Sequence, residues 1–489
     1  MAGRRLILLL VVAFLAGASA SGGRASKSAQ FDLLRLASYS FPELARSNRY
    51  RLATIIARLR LTADGAPAAE RRRTRETAAG SAAAAAAFAM PLGSGAYTGI
   101  GQYFARFRVG TPAQAFLLVA DTGSDLTWVK CRRPASSNSS SSHSRYSSSS
   151  AAGRAFRPEK SRTWAPISCA SDTCIKSLPF SLATCPTPGT ACAYDYRYKD
   201  GSAARGTVGT ESATIALSGP KARKTKLKGL VLGCSSSYSG PSFAASDGVL
   251  SLGYSDISFA SHAASRFGGR FSYCLVDHLS PRNATSYLTF GPNPAVYSTS
   301  SSSPSSCPTA RAPPRARETP LVLDTRMRPF YDVSVKAISV AGEFLKIPRT
   351  VWDVETGGGV ILDSGTSLTV LAKPAYRAVV AALSKKLVGI PRVILDPFEY
   401  CYNWTSPTTG EDIDVDVPKL AVHFAGKARL EPPGKSYVID AAPGVKCIGV
   451  QEGPWPGVSV IGNILQQEHL WEFDLKNRRL RFQRSRCTH

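Results

Sequence analysis

The apolar positions of this chain change their rhythm along its length, and each rhythm predicts a different element. Leu6–Ala16 is an unbroken apolar run behind Arg4 and Arg5, followed by the small residues Ala18-Ser19-Ala20. That layout predicts a secretory signal peptide cleaved near Ala20. The run is too short to span a bilayer comfortably, since a spanning helix needs about 20 apolar residues. Arg46, Arg49, Arg51, Arg58 and Arg60 are interleaved with Leu52, Ile55, Ile56 and Leu59, a spacing that predicts a basic amphipathic helix. Arg71-Arg72-Arg73 and the alanine run 82–87 then read as an exposed, cleavable stretch. From Tyr103 to Val109 polar and apolar residues alternate as in a strand, and Gly110-Thr111-Pro112 predicts a turn. The remaining chain is mostly short β-type segments punctuated by Gly and Pro. Helical stretches are few, Pro374–Leu387 among them, so the fold class is all-β.

Two low-complexity stretches interrupt this body. Residues 136–150 hold eleven serines in fifteen positions and offer no packing surface, which predicts a mobile loop. Residues 298–317, rich in Ser, Pro and Arg, read as a linker between halves. The halves carry an internal repeat. Leu117–Val129 reads LLVADTGSDLTWV and Gly359–Leu371 reads GVILDSGTSLTVL. Without gaps, Asp121/Asp363, Gly123/Gly365, Leu126/Leu368 and Thr127/Thr369 are identical, and hydroxyls match at neighbouring positions. A weaker match pairs Gly248-Val249-Leu250-Ser251 with Ser459-Val460-Ile461-Gly462. Two such copies imply two similar β-lobes that face one another.

Charge and cysteine content refine the class. The net charge is +26, but residues 1–80 hold 14 Lys/Arg against 5 Asp/Glu, so +17 falls on the body. That charge suits solubility in an acidic compartment, and it permits weak binding to polyanions or cell-wall material. Eleven cysteines in a secreted chain predict disulfides with one thiol left over. No paired C-x-x-C pattern with histidines is present, so no structural metal is expected. Sequons at Asn138, Asn283 and Asn403 fit the same compartment. The polar C-terminus and the lack of any later spanning run predict no membrane anchor.

The candidate chemistry lies in the repeat. An acid at a strand end, followed by a hydroxyl residue and a glycine, has a physical reason. The glycine lets the backbone turn tightly, and its amide can donate to the carboxyl group. Ser124 and Thr366 can bond the outer carboxyl oxygens. If the lobes bring Asp121 and Asp363 within hydrogen-bond distance, the two acids share one proton and titrate in separate steps. The ionised acid takes a proton from a water between them, and the protonated one donates to the scissile carbonyl. Neither cofactor nor metal is needed. A lone Asp-Thr-Gly is weak, but two copies in matching apolar contexts half a chain apart are specific.

With these motifs the sequence resembles the pepsin-like aspartic protease family across residues 100–487. The resemblance implies the bilobal pepsin-like fold with an active-site cleft between the lobes. It implies Asp121 and Asp363 as catalytic pair, with Thr122, Gly123, Ser124, Ser364, Gly365 and Thr366 in support. It also implies a mobile flap tipped by Tyr198-Lys199-Asp200-Gly201-Ser202, with Tyr198 closing over substrate and Trp128 orienting it. Val460-Ile461-Gly462 matches the element behind the C-lobe acid, whereas Val249-Leu250-Ser251 departs from it by placing serine where glycine is usual. Lys199 departs from the commoner glycine too.

The atypical plant branch, which includes nepenthesins and chloroplast nucleoid DNA-binding proteases, is the most similar. Its marks are Asp363-Ser364-Gly365, a cysteine-bearing insert before the flap, and no room for a saposin-like insert. By position the branch implies the disulfides Cys169–Cys192, Cys174–Cys185, Cys274–Cys487, Cys401–Cys447 and Cys131–Cys234, with Cys307 odd. The expected organisation is a signal peptide at 1–20, a propeptide at 21–88 and an N-terminal lobe with insert and flap at 89–297. The linker at 298–317 and a C-terminal lobe at 318–489 complete it.

The expected protein is a monomeric, secreted, acid-acting endopeptidase on protein or peptide substrates, made as a precursor. Its basic propeptide residues would pair with cleft carboxylates. The apoplast is the expected destination, with vacuole or plastid as alternatives. Two other readings compete. A catalytically inactive inhibitor of glycosidases would be expected to have lost an aspartate or its hydroxyl neighbours, and both sites are intact. A DNA-binding homologue suits the charge, but no basic stretch is interleaved with stacking aromatics.

Overall fold

The computed structural model describes residues 101–132, 154–178, 187, 189–197, 203–217, 224–239, 243, 246–280, 284–293, 316–408, 410 and 416–487. It also describes the strand Phe88–Ser94 and, from a helical stretch ahead of it, Phe41, Pro42, Ala45, Leu52 and Ile55. The Ser-rich segment, most of the Ser/Pro/Arg-rich linker, Cys307, Asn138 and Asn283 lie outside the described residues. Asn403 is exposed at the end of strand Phe398–Asn403.

Strands dominate, as the alternation predicts, and they form two lobes that repeat one motif. In the N-lobe, strand Gln114–Asp121 runs parallel to Gly248–Ser251, with Asp121 level with Ser251. In the C-lobe, Val360–Asp363 runs parallel to Ser459–Gly462, with Asp363 level with Gly462. The strand after each acid also repeats. Thr127–Lys130 lies parallel to residues 232–235, and Thr369–Ala372 lies parallel to Val450–Gly453. The strands Thr127–Lys130, Gly248–Ser251, Val360–Asp363 and Ser459–Gly462 are buried at every position, which is why they read as apolar runs rather than as alternation.

An antiparallel run of strands joins the lobes. Arg270–Cys274 pairs on one side with Thr285–Phe290 and on the other with His469–Asp474, which comes from the C-terminal end of the chain. Phe271 stacks on Phe473 across this seam with ring centroids 4.7 Å apart. Phe88–Ser94 adds to the outer edge of Thr285–Phe290, and Arg317–Val322 adds to Arg479–Arg484. The disulfide Cys274–Cys487 fixes the chain terminus to the same platform. The predicted helix is present as Lys373–Lys386, and it buries Tyr376, Val379, Val380 and Leu383 on one face.

Cys131–Cys234, Cys274–Cys487 and Cys401–Cys447 pair as the resemblance implies. The insert does not. Cys192 is bonded to Cys174, so the expected Cys169–Cys192 and Cys174–Cys185 pairs are replaced. Cys169 is itself disulfide-bonded, and Cys185 lies outside the described residues. The strand register gives the reason. Ser168 bridges Ala191, and Cys192 donates its amide to Ile167, so Cys169 stands opposite Thr190. Cys169 and Cys192 are therefore diagonal neighbours, about 7–8 Å apart, beyond disulfide reach. The short helix Asp172–Lys176, capped by Ser171, swings Cys174 to a Cα separation of 5.9 Å from Cys192.

One buried acid behind the C-lobe platform carries a pH consequence. Asp332 in strand Tyr331–Val333 accepts the Val360 amide at 3.4 Å, and burial pushes its carboxyl from 3.8 up to about 6. The folded chain therefore holds this proton more tightly than the unfolded chain does. Its contribution to stability is then greatest below about pH 4 and falls as pH rises towards 6, by up to ~3 kcal/mol. Asp332→Asn keeps the acceptor and removes the charge. It should raise the melting temperature at pH 7 and leave it nearly unchanged at pH 3.5; equal shifts at both pH values would contradict this account.

Candidate active site

Each candidate acid sits where a buried strand ends in a tight turn, and its own turn supplies its first hydrogen bonds. Asp121 and Asp363 are both buried. Gly123 N donates to Asp121 Oδ1 at 2.9 Å, and Gly365 N donates to Asp363 Oδ1 at 3.0 Å. Ser124 Oγ donates to the other oxygen of Asp121, and Thr366 Oγ1 does the same for Asp363. Every carboxyl oxygen thus has a donor from a residue two or three positions further on. The two turns match atom for atom, as the sequence repeat requires.

The turns are also bound to each other. Thr122 N donates to Ser364 Oγ at 3.0 Å, and Ser364 N donates to Thr122 Oγ1 at 2.8 Å. Each hydroxyl then donates onward across the seam, Thr122 Oγ1 to Leu362 O at 3.3 Å and Ser364 Oγ to Ala120 O at 2.9 Å. A backbone amide and a hydroxyl from each lobe are therefore satisfied by the other lobe. The sequence signal for this was the hydroxyl residue after each aspartate, whose mutual role becomes visible only once the lobes are paired.

Further residues behind the acids complete the packing, and Asn463 among them carries no signal of its own in the sequence. Asn463 Nδ2 donates to Ser364 O at 2.9 Å and to Gly101 O at 2.6 Å, tying the C-lobe turn to the start of the N-lobe. Thr127 Oγ1 bonds Ser251 Oγ at 2.8 Å, and Ser251 Oγ accepts the Phe259 amide at 2.9 Å at the start of a helix. The serine that departs from the usual glycine is thus a joint in the N-lobe packing. Its C-lobe counterpart must stay glycine, since a Cβ at Gly462 would lie 2.6 Å from two backbone oxygens.

The hairpin of Ala193–Arg197 and Ala203–Ala216 is bonded to the N-lobe turn through Tyr196, whose hydroxyl donates to Asp125 Oδ1 at 3.0 Å. Its tip, with Tyr198, Lys199 and Gly201, lies outside the described residues. Trp128 is buried beneath the hairpin with Tyr194 and Tyr196, edge-on to Phe243 at 4.8 Å. Gly233 makes this packing possible, since a Cβ there would come within 2.9 Å of both Trp128 and Tyr194.

On the C-lobe side the early helical stretch covers a corresponding face. Leu52 and Ile55 pack with Ile361, Val370, Val460, Met327 and Phe330. Ala45 packs with Leu368 and Ile464, and its carbonyl accepts Gln451 Nε2 at 2.8 Å. Ile361 precedes Asp363 by two in the same strand, so the two share a face. Among the described residues this contact is apolar with one backbone hydrogen bond, whereas basic pairing was expected; the arginines concerned lie outside the described residues.

Comparison with known proteins agrees with this arrangement. Residues 103–292 match the domain family described as "Xylanase inhibitor N-terminal", and residues 330–484 match "Xylanase inhibitor C-terminal". The chain is 34% identical over 412 residues to "Aspartyl protease family protein 2" of Arabidopsis thaliana, covering 82% of this chain and 74% of that one. It is 28% identical over 393 residues to "Aspartic proteinase nepenthesin-2" of Nepenthes gracilis, covering 80% and 79%. Among solved structures, soybean basic 7S globulin superposes with a TM-score of 0.58 at 19% identity, covering 82% of this chain and 95% of that one. The structure titled "edgp" superposes at 0.60 and 20%, covering 83% and 97%. At these identities the solved structures speak for the fold alone.

The cross-lobe bonds make a measurable claim. Thr122→Val and Ser364→Ala should each cost about 1–3 kcal/mol, because each strands a buried amide without its acceptor. The double variant should lose clearly less than the sum, as both belong to one network. Additive losses in a denaturation cycle would show that the two hydroxyls act independently.

Proposed function

We propose that this chain, which belongs to the pepsin-like aspartic protease family on its xylanase-inhibitor-like branch, is an active aspartic endopeptidase with Asp121 and Asp363 as its acid pair. The observation that carries the reading is the mirrored pair of Asp-hydroxyl-Gly turns, each acid held by its own glycine amide and hydroxyl and the two turns bonded across the seam. The reading needs one member of the pair ionised and the other protonated. The ionised member takes a proton from a water bound between them. That water attacks the peptide carbonyl, whose oxygen is protonated by the other member, and the tetrahedral intermediate collapses as the departing nitrogen is protonated. The Ser124 and Thr366 hydroxyls keep the outer oxygens occupied, so the inner ones face the water. An inhibitor of xylanase, the role printed in the names of the matching domain families, has no use for this complete constellation.

The organisation we propose is a signal peptide at 1–20, a propeptide at 21–88, lobes at 89–297 and 318–489, and the linker 298–317 between them. Secretion is supported by the leader pattern and the disulfides, with the apoplast as destination. No helix among the described residues is long and apolar enough to cross a membrane. Precursor latency is supported by Ala45, Leu52 and Ile55, which cover the face that Ile361 shares with Asp363. Substrates are proteins or peptides, and the working unit is a monomer.

Asp121→Asn and Asp363→Asn should each abolish hydrolysis of a denatured protein substrate while the fold survives, because one acid cannot serve both proton roles. The wild-type rate should be bell-shaped in pH with an acidic optimum, since only the singly protonated pair is competent. A few per cent of residual activity in either folded variant, or a maximum near pH 8, would sink the assignment.

The precursor should be inactive, and the active form should begin near residue 88, where strand Phe88–Ser94 joins the sheet. Leu52→Asp with Ile55→Asp should release activity earlier during acid incubation. N-terminal sequencing that finds Ser21 at the start of the active form would refute the latency.

A further inference from the structure

Away from the acid pair, the N-lobe presents a row of cations that the fold leaves uncompensated. Strand Lys224–Ser239 opens with Lys224-Thr225-Lys226-Leu227-Lys228, and all three lysines are exposed while Leu227 is buried. Alternation puts the lysines on one face, about 7 Å from one to the next. Strand register widens the row into a patch. Val109, Ala213 and Leu227 stand side by side across three strands, and all three are buried in the core. Their neighbours Arg108, Thr214 and Lys226 therefore share the opposite face, and Arg108 is exposed there too. Two strand spacings separate Arg108 from Lys226, about 10 Å. The middle strand places only Thr214 between them, which is too short to screen either charge.

Nothing nearby balances these charges. None of Arg108, Lys224, Lys226 and Lys228 forms an ion pair among the described residues. Lys226 Nζ donates to Thr111 Oγ1 at 2.6 Å, a neutral partner that steadies the ammonium without cancelling it. From Ala203 to Ser239 the one acid in the sequence is Glu211, which is 1% exposed. Its carboxyl accepts from Ser161 Oγ, Thr163 Oγ1 and the Ser212 amide, so it faces inward and is fully engaged. Like charges held at this spacing repel one another in the free protein. A partner with opposite charges in a row relieves that repulsion.

The make-up of the patch selects the partner. Lysine offers a compact point charge, which suits an anion carrying one charge per unit. The charges follow a strand, so the partner that meets all of them is linear. No exposed aromatic side chain stands on residues 106–109, 213–216 or 224–228, so a nucleic acid base has nothing to stack on. None of the large exposed apolar residues lies on these stretches either, so nothing there enters a bilayer.

We propose that Arg108, Lys224, Lys226 and Lys228 form a binding site for a linear acidic polysaccharide, a polyuronate with one carboxylate on each sugar unit. The site goes beyond the endopeptidase reading and does not depend on it. None of the four side chains belongs to either acid-bearing turn, so the protein can hold the polymer and leave those turns undisturbed.

The test measures equilibrium binding of the full chain to polygalacturonate over a series of salt concentrations. It compares the wild type with Arg108→Gln, with the patch triple Lys224→Gln/Lys226→Gln/Lys228→Gln, and with a control triple. The control, Lys336→Gln/Lys346→Gln/Lys385→Gln, removes the same charge from exposed C-lobe positions. The patch triple should weaken binding about 10- to 100-fold at low salt and make it less salt-dependent, with about 3- to 10-fold for Arg108→Gln. The control should change it by less than about 3-fold. Equal losses in the two triples would reduce the effect to net charge and overturn the site, as would a wild type that does not bind polygalacturonate. Should the patch triple fail to fold, Lys224→Gln/Lys228→Gln keeps the Lys226–Thr111 bond and should still lose about 5-fold or more.

Single-stranded DNA of matched charge and phosphatidylserine vesicles stand for the other polyanions. Tighter binding to either, lost in the patch triple, would overturn the polysaccharide assignment. Hydrolysis of a soluble denatured protein should be the same in the patch triple as in the wild type. A loss there would place these lysines in peptide binding and overturn a separate site, whereas a wild type that hydrolyses nothing but binds polygalacturonate through the patch would sink only the endopeptidase reading.

Discussion

Asp121 and Asp363 are both buried in turns that come from opposite lobes, and like acids cannot attract one another, so the turns have to be held together by something else. The holding is done by Thr122 and Ser364. Each gives its amide to the other's hydroxyl, and each hydroxyl reaches a backbone oxygen behind the opposite acid. These groups are buried, so breaking the crossing strands amides and carbonyls in a dry interior rather than handing them to water. That demand shapes the rest of the molecule. The lobes must meet at this seam, so the strands leading to it are apolar on both faces, and the platform of strands beneath it is shared between the two halves of the chain.

The two lobes answer the same demand with different packing. Behind Asp121 a serine hydroxyl links strand, loop and helix start, so the N-lobe tolerates a Cβ where the C-lobe has no room for one. The N-lobe then covers its remaining apolar face with the hairpin, with Trp128, Tyr194 and Tyr196 as the filling. The C-lobe leaves the corresponding face to Leu52, Ile55 and Ala45 from far upstream. One lobe is therefore closed by a piece of itself and the other by a segment outside its own sheet. That difference supports the proposal that the second cover is a removable prosegment.

Acid conditions suit this architecture beyond the reacting pair. Asp332 is held protonated more firmly in the folded chain than in the unfolded one, and burial likewise pushes the Asp247 carboxyl up. Buried acids of this kind cost least where they are protonated, so fold and proposed chemistry favour the same side of neutrality.

Much of this was legible in the sequence, because the relevant constraints are local. An apolar run ending in Asp-hydroxyl-Gly specifies a strand, a turn and the donors for its own carboxyl, and two copies specify two lobes. The paired strand repeats needed no more than order and spacing. What required tertiary structure was every relation between distant residues. The Thr122–Ser364 crossing links positions 242 apart, and only the pairing of the lobes gives their hydroxyls a shared role. The Cys174–Cys192 bond was not legible because it depends on strand register and on the direction in which a five-residue helix turns, and the order of cysteines contains neither. Asp125 shows the same limit within the motif itself. The sequence presents it as one more polar residue in a turn, and only the fold sets Tyr196 against one of its oxygens and seals the other from water.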